Sequence, residues 1–352
     1  MHTSTNTRRS FIKTALSASG LALLASRPSV WAAASGEKPR YRFVFANDLH
    51  MTHPFDQPGA YSGANQRAAW FMDTLCKGGF GAPFDFVLFG GDMVHGRTLE
   101  MLDMEVPAFA RLTDRLPCKS YPCVGNHENI QCEADPVYEK AYRDQYGQNR
   151  AQYTFEHKGI LFVVLNNSGE PPSQARQKTQ EELRRRRLQF AEEALSSHPG
   201  LPKIIVCHIP LVPMREAEVL EKSFRFTSWM AFDEPLLQLI EKHRDSVLAV
   251  LSGHLHLTGV VEKNGIKHIM PSGLASFPHD IAFFDVFDDR IDVRMVPVPE
   301  EMAKPYATNL HGKRRHGIDY TDATHPTHEL YIAGNPDERA FSLPLAPRLS
   351  NA

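Results

Sequence analysis

The chain has 352 residues, 42% of them hydrophobic and 23% charged, the composition of an ordinary globular protein with room for one large domain or two small ones. Its 39 basic and 41 acidic side chains leave a net charge of -2, so no global field recruits nucleic acid or a membrane surface. Seventeen histidines is a high number, and their placement carries more information than their count.

Residues 1–34 stand apart from the rest. In "TRRSFIKTALSASGLALLASRPSVWAAA" two arginines precede a modest apolar run, and small residues suited to a signal peptidase follow near Ala32 to Ala34. This is a secretory signal pattern. Arg8 and Arg9, in the setting Thr7-Arg-Arg-Ser-Phe-Ile-Lys13, resemble the twin-arginine export signal. The resemblance implies a bacterial protein carried out already folded by the twin-arginine translocation machinery, and so a periplasmic or secreted location. The alternative, a weak membrane anchor, is disfavoured: the run from Ala15 to Ala25 is too short and too rich in Ser and Gly to span a bilayer stably. Five cysteines (76, 118, 123, 132 and 207) leave at least one unpaired. Cys207 reads as a buried strand residue, and a disulfide to Cys132 is left undecided.

From residue 41 to about 296 short apolar runs alternate with helical patterns. "YRFVFA" (41–46), "FDFVLFG" (84–90), "KSYPCVG" (119–125), "ILFVVLN" (160–166), "KIIVCH" (203–208) and "SVLAVLSG" (246–253) read as strands, several buried on both faces. Helical spacing is expected over 65–77, 98–116, 135–146, 176–196 and 234–244, with Asp135-Pro136 as a helix start. After residue 253 come close-set strands, "TGVVEK", "IKHIM", "IAFFDVF" and "IDVRMV", with Asn264-Gly265 as a hairpin turn. Together these predict an α/β domain over 35–300 whose last third is an antiparallel meander on a second sheet. Residues 301–352 lose periodicity and read as an extended tail. The run Arg184 to Arg187 lies among glutamates on a helix and reads as a solvated face.

Polar residues follow nearly every strand. After 41–46 come Asn47, Asp48 and His50; after 84–90, Gly91 and Asp92; after 119–124, Asn126, His127 and Glu128; then His208, and finally His254 and His256. In open α/β sheets the carboxyl ends of strands converge on one crevice. Neither a nucleophilic Ser or Cys nor a glycine-rich phosphate loop is among these ends. Carboxylate, amide and imidazole ligands suit divalent or trivalent ions such as Zn, Mn or Fe. Asp48 and His50 are two residues apart, as are His254 and His256, so each pair points one way on extended chain. Seven ligands exceed the needs of one tetrahedral ion but suit two ions about 3.5–4 Å apart that share a carboxylate. Two aspartates against two divalent ions leave the centre near about +2, a field that favours a phosphate ester and partly ionises a bridging water.

D-x-H, G-D, G-N-H-E, a lone His after a strand and G-H-x-H, in this order, resemble the calcineurin-like metallophosphoesterase superfamily. The likeness covers roughly residues 41–296. It implies a four-layer αββα sandwich of two mixed β-sheets flanked by helices, with the site where the two sheets meet. Carried over by position, Asp48, His50, Asp92 and His256 would hold a first metal ion. Asp92 would bridge to a second, completed by Asn126, His208 and His254. His127 would face the substrate, stabilise the phosphoryl group and protonate the leaving alkoxide, while Glu128 would support the loop. In the protein phosphatases the third residue after the G-D aspartate is another Asp, and in the purple acid phosphatases a Tyr. Here it is His95, which disfavours both subfamilies and leaves His95 as a further ligand, a partner of His127 or a rim residue.

Taken singly, Asp48 has a structural role as a turn residue, His208 as a core histidine and Asn126 as a turn former. Eight such groups in one family's order are poorly explained by chance. Arg97 and Asn47 are outside candidates for phosphate contacts, and His53, His157, His243, His268 and His279 read as surface or structural. The expected activity is metal-dependent hydrolysis of a small phosphoric ester, phosphomonoester and phosphodiester both fitting the same centre. Loops at 51–64, 129–150, 166–178 and 209–232, with Phe55, Tyr61, Arg215, Phe224 and Trp229, would select between them. The competing class is an exported binding or scaffold protein on the same fold without catalysis. No nucleic-acid partner and no stable membrane anchor are expected.

Overall fold

The computed structural model describes residues 37–129, 139–168, 177–216, 233–303 and 332–345, and in it strand β1 (Tyr41–Ala46) is buried at all six positions. Tyr41, Phe43 and Phe45 face one core and Val44 and Ala46 another. A strand apolar on both faces has to be covered on both, and that requirement builds the layers. The chain divides into two units, Pro39–Val298 with Met302–Ala352, and Met1–Lys38 with Pro299–Glu301; every element named below lies in the first.

Two six-stranded mixed sheets form the middle. The first has the order β12-β11-β10-β1-β2-β3 and the second β4-β5-β6-β7-β9-β8. In the first, β1, β2 (Phe86–Phe89) and β3 (Lys119–Pro122) run parallel, while β10 (Asp280–Val286), β11 (Arg290–Pro297) and β12 (Ala340–Pro344) add antiparallel neighbours. In the second, β5 (Ile160–Leu165), β6 (Lys203–Cys207), β7 (Val247–Leu251) and β9 (Ile266–Met270) run parallel, with β4 (Tyr153–His157) and β8 (Gly259–Lys263) antiparallel at the edges.

The layer between the sheets holds Phe43, Phe45, Phe86, Phe162, Phe284, Ile204 and Val206. Phe43 stacks on Phe86 and Phe284 with centroids 5.0 and 4.3 Å away, and each such ring contributes roughly 1.5–3 kcal/mol by burial. Helices cover the outer faces. On the first sheet α1 (Ala60–Cys76) sets down Ala68, Phe71, Met72 and Leu75, and α2 (Leu99–Thr113) adds Leu102, Val106 and Phe109. The shorter α3 (Lys140–Tyr146) adds Tyr142. On the second sheet α4 (Gln177–Ser197) presents Ala191, Ala194 and Leu195, and α5 (Glu234–Lys242) presents Leu236, Leu237 and Ile240. The αββα arrangement implied by the family resemblance is the one observed.

Several expectations are corrected. The last third is not one meander: β8 and β9 join the second sheet, with Asn264 and Gly265 at φ 51° and 79° in their turn, whereas β10 and β11 return to the first sheet beside β1. Strand β4 was not anticipated; the Lys158-Gly159 turn that joins it to β5 has φ 45° and 87°. Part of the expected tail is ordered structure. A short helix α6 (Pro336–Arg339) leads into β12, and Arg339 makes two 2.7 Å bonds to the Asp280 carboxylate. Arg187 leaves its solvated neighbours and turns inward, 3% exposed, onto Asp233. Asp233 also accepts from Leu236 N at 3.2 Å and so caps α5. The signal segment, Asp135-Pro136, Cys132, Phe224 and Trp229 lie outside the described residues; Cys76, Cys118, Cys123 and Cys207 are free thiols. Among the described residues no helix is long and apolar enough to cross a membrane.

His268 on β9 is 1% exposed and its Nε2 has no hydrogen-bond partner among the described residues, so burial lowers its pKa to about 4. Unfolded, it titrates near about 6.5. Between these values the unfolded chain takes a proton that the folded chain refuses, and stability falls as pH drops from about 6.5 to about 4. In urea titrations His268→Leu should remove up to about 3 kcal/mol of that acid destabilisation relative to wild type; equal pH dependence of the two proteins would refute it.

Candidate metal centre

The loops at the carboxyl ends of the parallel strands are bonded to one another before any side chain is considered. Asp48 N donates to Gly91 O at 3.0 Å, His50 N to Asp92 O at 2.9 Å, and Gly253 N to His208 O at 2.8 Å. Five residues here adopt left-handed backbone: Asp48, His50, Asp92, His254 and His256, with φ 49°, 46°, 50°, 75° and 53°. None is glycine, and such strain collects where side chains must be aimed. Gly125 is needed for a different reason, since a Cβ there would collide with the Asp92 backbone and carboxylate.

The side chains form two adjoining groups, beside a third cluster of His50, His95 and His127. Asp48, His50 and His256 make the first and Asp92, His208 and His254 the second, with the ligand atoms in each group within 4.8 Å of one another. In the first, His50 Nε2 is 3.0 Å from His256 Nε2, which is 3.1 Å from Asp48 Oδ1. In the second, His208 Nε2 is 3.2 Å from Asp92 Oδ2 and 3.0 Å from Asn126 Oδ1, which is 2.8 Å from His254 Nδ1. Asp92 Oδ2 also lies 3.6 Å from His50 Nε2, so this one carboxylate adjoins both groups.

Hydrogen bonds behind the rings decide what faces inward. His208 Nδ1 is 2.8 Å from Gly90 O, a carbonyl that only accepts, so this nitrogen donates, and Nε2 presents its lone pair when the ring is neutral. His256 Nδ1 is 2.8 Å from Ser276 Oγ, a hydroxyl that can accept from it or donate to it. Neutral rings therefore crowd their nitrogens against one another and against carboxylate and amide oxygens, and Asp48 Oδ1 is buried with no hydrogen-bond partner among the described residues. Only a proton or a metal ion relieves such crowding. Burial alone would raise both carboxyls, but His256 beside Asp48 and His208 beside Asp92 hold them well below the usual carboxylate range. Burial and His127 lower His50 to about 3, and burial and His208 lower His254 to about 3. Burial opposes charge on His208, yet Asp92 outweighs it and carries that pKa up to about 10. The donor set thus fits divalent metal.

The three consecutive polar residues of "GNHE" divide. Asn126 joins the second group. His127 stands at the edge, its Nε2 3.9 Å from Asp92 Oδ2 and its Nδ1 2.5 Å from the His95 carbonyl. Glu128 turns away: its carboxylate accepts from Asp92 N (2.9 Å), Met93 N (2.8 Å), Val94 N (3.2 Å) and Gly125 N (2.6 Å). Burial and Asp92 push its pKa up to about 7, against the pull of His208 and those amides. His95 meets His127 through its backbone, while its buried ring lies near those of His50 and His127, with centroids 5.8 and 5.3 Å away. Asn47 is fully buried and donates to Asp48 Oδ2 at 2.5 Å and Pro271 O at 3.1 Å, which places it behind Asp48. Arg97 is exposed on the following segment.

The family model of the calcineurin-like phosphoesterases matches residues 41–257. The chain belongs to that family. Its fold implies divalent metal held by histidine and aspartate clusters of the kind found here. A dimetal phosphatase from Danio rerio is similar in structure, with a TM-score of 0.56 at 16% identity, over 74% of this chain and 97% of that one. Purple acid phosphatase PPD1 from yellow lupin (Lupinus luteus) seeds gives 0.51 at 14%, over 77% of this chain and 54% of that larger one. At these identities the likeness is one of fold. No curated protein matches the sequence.

Some supports of this phosphoesterase centre left no mark in the sequence pattern. Ser276 orients His256, Glu105 on α2 accepts from His53 N at 3.1 Å and Gly96 N at 2.8 Å, and Asn167 brackets Ile209 through N–H and carbonyl at 3.0 and 2.6 Å. Each serves backbone groups or a ring nitrogen from a distant position, and no local spacing announces that.

Glu128→Gln would turn an amide NH2 toward backbone N–H groups that need an acceptor. It should cost about 3 kcal/mol in chemical denaturation and weaken metal retention measured by elemental analysis. A variant as stable as wild type would show that Glu128 does not tie the two loops.

Proposed function

We propose that the protein is an exported dinuclear-metal phosphoesterase that hydrolyses small phosphoric esters by metal-activated water. The observation that carries this is the convergence of Asp48, His50, Asp92, Asn126, His208, His254 and His256 from five strand ends, with Asp92 Oδ2 adjoining both ligand groups. In this reading Asp48, His50, His256 and Asp92 hold one ion, and Asp92, Asn126, His208 and His254 hold the other, drawn from Fe, Mn or Zn. When bound, the ions would neutralise charge on the phosphoryl oxygens and make water nucleophilic near neutral pH.

The chain's own groups do the rest. Asp92 fixes the spacing of the two ligand groups, and Glu128 fixes the backbone that carries Asp92. His127 is positioned as general acid: the His95 carbonyl takes its Nδ1 proton in a hydrogen bond, which leaves Nε2 toward the site to deliver a proton to the departing oxygen. Buried walls exclude bulk water from these groups and strengthen their electrostatics. His95 and Arg97 remain the candidates for contact with substrate beyond the ligands. Arg8 and Arg9 support export by the twin-arginine machinery to the periplasm or beyond, after the fold and its metals are in place.

Turnover of p-nitrophenyl phosphate and of its bis ester, each with and without chelator, tests the activity and separates monoesterase from diesterase. Asp92→Asn should lose metal by elemental analysis along with turnover. His127→Asn should keep its metal and lose about 10²–10⁴-fold in kcat, more for esters with a poor leaving group. Metal-loaded protein inert toward both esters, or an Asp92 variant with full metal and full rate, would favour the non-catalytic scaffold. For export, replacing Arg8 and Arg9 by Lys should hold the protein in the cytoplasm on fractionation; unchanged delivery would refute that route.

A further inference from the structure

We infer that Tyr61 forms one wall of the substrate site and receives the organic group of the ester, favouring a planar aromatic group over a small saturated one. The inference rests on the phosphoesterase reading and adds a substrate class to it.

The placement comes first. The Tyr61 ring lies 4.7 Å from the His50 ring, 5.4 Å from His256 and 5.8 Å from His95, centroid to centroid. It leans on the first ligand group from outside. The three imidazoles are buried, whereas Tyr61 keeps part of its surface open. Phosphoryl charge would be met by the ions and by His127 of the proposed centre. The Tyr61 phenol could add at most one hydrogen bond there, whereas its half-buried ring supplies aromatic surface for the organic group the phosphoryl carries.

The backbone is the second observation. Tyr61 has φ 50° and ψ 40°, Ser62 φ 54° and ψ 49°, and Gly63 φ 106°. Two consecutive non-glycine residues in the left-handed region are costly, and they persist only where the surroundings over-determine them. A helix start does not ask for this. The turn instead lifts Tyr61 to the ligand rings.

Arg67 supplies the hold. It is 1% exposed, and its guanidinium donates to Tyr61 O (2.9 Å), Ser62 O (3.2 Å), Leu274 O (2.6 Å) and Ala275 O (3.0 Å). All four acceptors are backbone carbonyls. Leu274 N and Ala275 N in turn donate to Asn47 O and Asp48 O at 3.2 and 2.9 Å. One buried cation therefore pins the Tyr61 turn to the segment that backs the Asp48 loop, which fixes the ring relative to the ligands. Arg67 acts as a positioning residue, and Tyr61 makes the contact.

Isothermal titration calorimetry of the metal-loaded protein with phenylphosphonate and methylphosphonate tests this. Both carry the same phosphonate and neither has an ester bond to break, so binding is read apart from turnover. Wild type should bind the phenyl compound about tenfold more tightly. Tyr61→Leu should lose that preference while holding methylphosphonate within about twofold, and Tyr61→Phe should keep it. Absence of preference in wild type, its survival in the Leu variant, or an equal loss for both compounds would each overturn the inference. Inert esters alongside an intact phosphonate preference would instead count against the hydrolase reading alone.

Discussion

The structure is organised around a buried space in which imidazole nitrogens, carboxylates and an amide oxygen crowd together. The Nε2 atoms of His50 and His256 are 3.0 Å apart, His208 Nε2 lies against a carboxylate and an amide oxygen, and Asp48 Oδ1 has no hydrogen-bond partner among the described residues. A polypeptide seldom buries acceptors this way, because unpaired polar groups in a low dielectric are expensive. The left-handed backbone at Asp48, His50, Asp92, His254 and His256 adds roughly 1–2 kcal/mol each. Both costs are of the size that binding a divalent ion can offset. The fold that surrounds them has two sheets, each covered by helices, and three apolar cores.

Glu128 shows how the crowding is held in register. Its carboxylate gathers amides from two loops that follow different strands, so the position of Asp92 is set by a fully buried side chain from another loop. Arg67 is the counterpart on the other side of the centre, a cation that gathers carbonyls. One buried charge of each sign thus organises backbone groups of the opposite polarity. That is why the ligand loops need little regular secondary structure of their own.

Much of this was legible in the sequence, for identifiable reasons. Strands such as "ILFVVL" and "VLAVL" are continuous apolar runs because both faces are covered. Asp48, Asp92 and His208 stand out because each ends such a run abruptly. The division of labour within Asn126, His127 and Glu128 rests on the family resemblance; the geometry puts Asn126 against His208 and His254, His127 near Asp92, and Glu128 on backbone amides. Pairing partners were less accessible. The hairpin at Asn264-Gly265 could be read from its turn, but which sheet received it depends on residues 271–279 crossing over the site, and no local pattern encodes that. Strand β12, "AFSLP", is short and contains proline, so it resembled the irregular stretch around it. Arg187 shared its composition with exposed neighbours, and only the distant Asp233 distinguishes it.

The left-handed ligand positions also bear on how such a protein ages. At Asp48, His50, Asp92, His254 and His256 the backbone alone would be better served by glycine, so folding and chemistry pull in opposite directions at the same five codons. A lineage that no longer needed the metals would drift toward glycine there and gain stability as it decayed. At all five positions the residue present offers a candidate ligand atom and is not the one the backbone would favour.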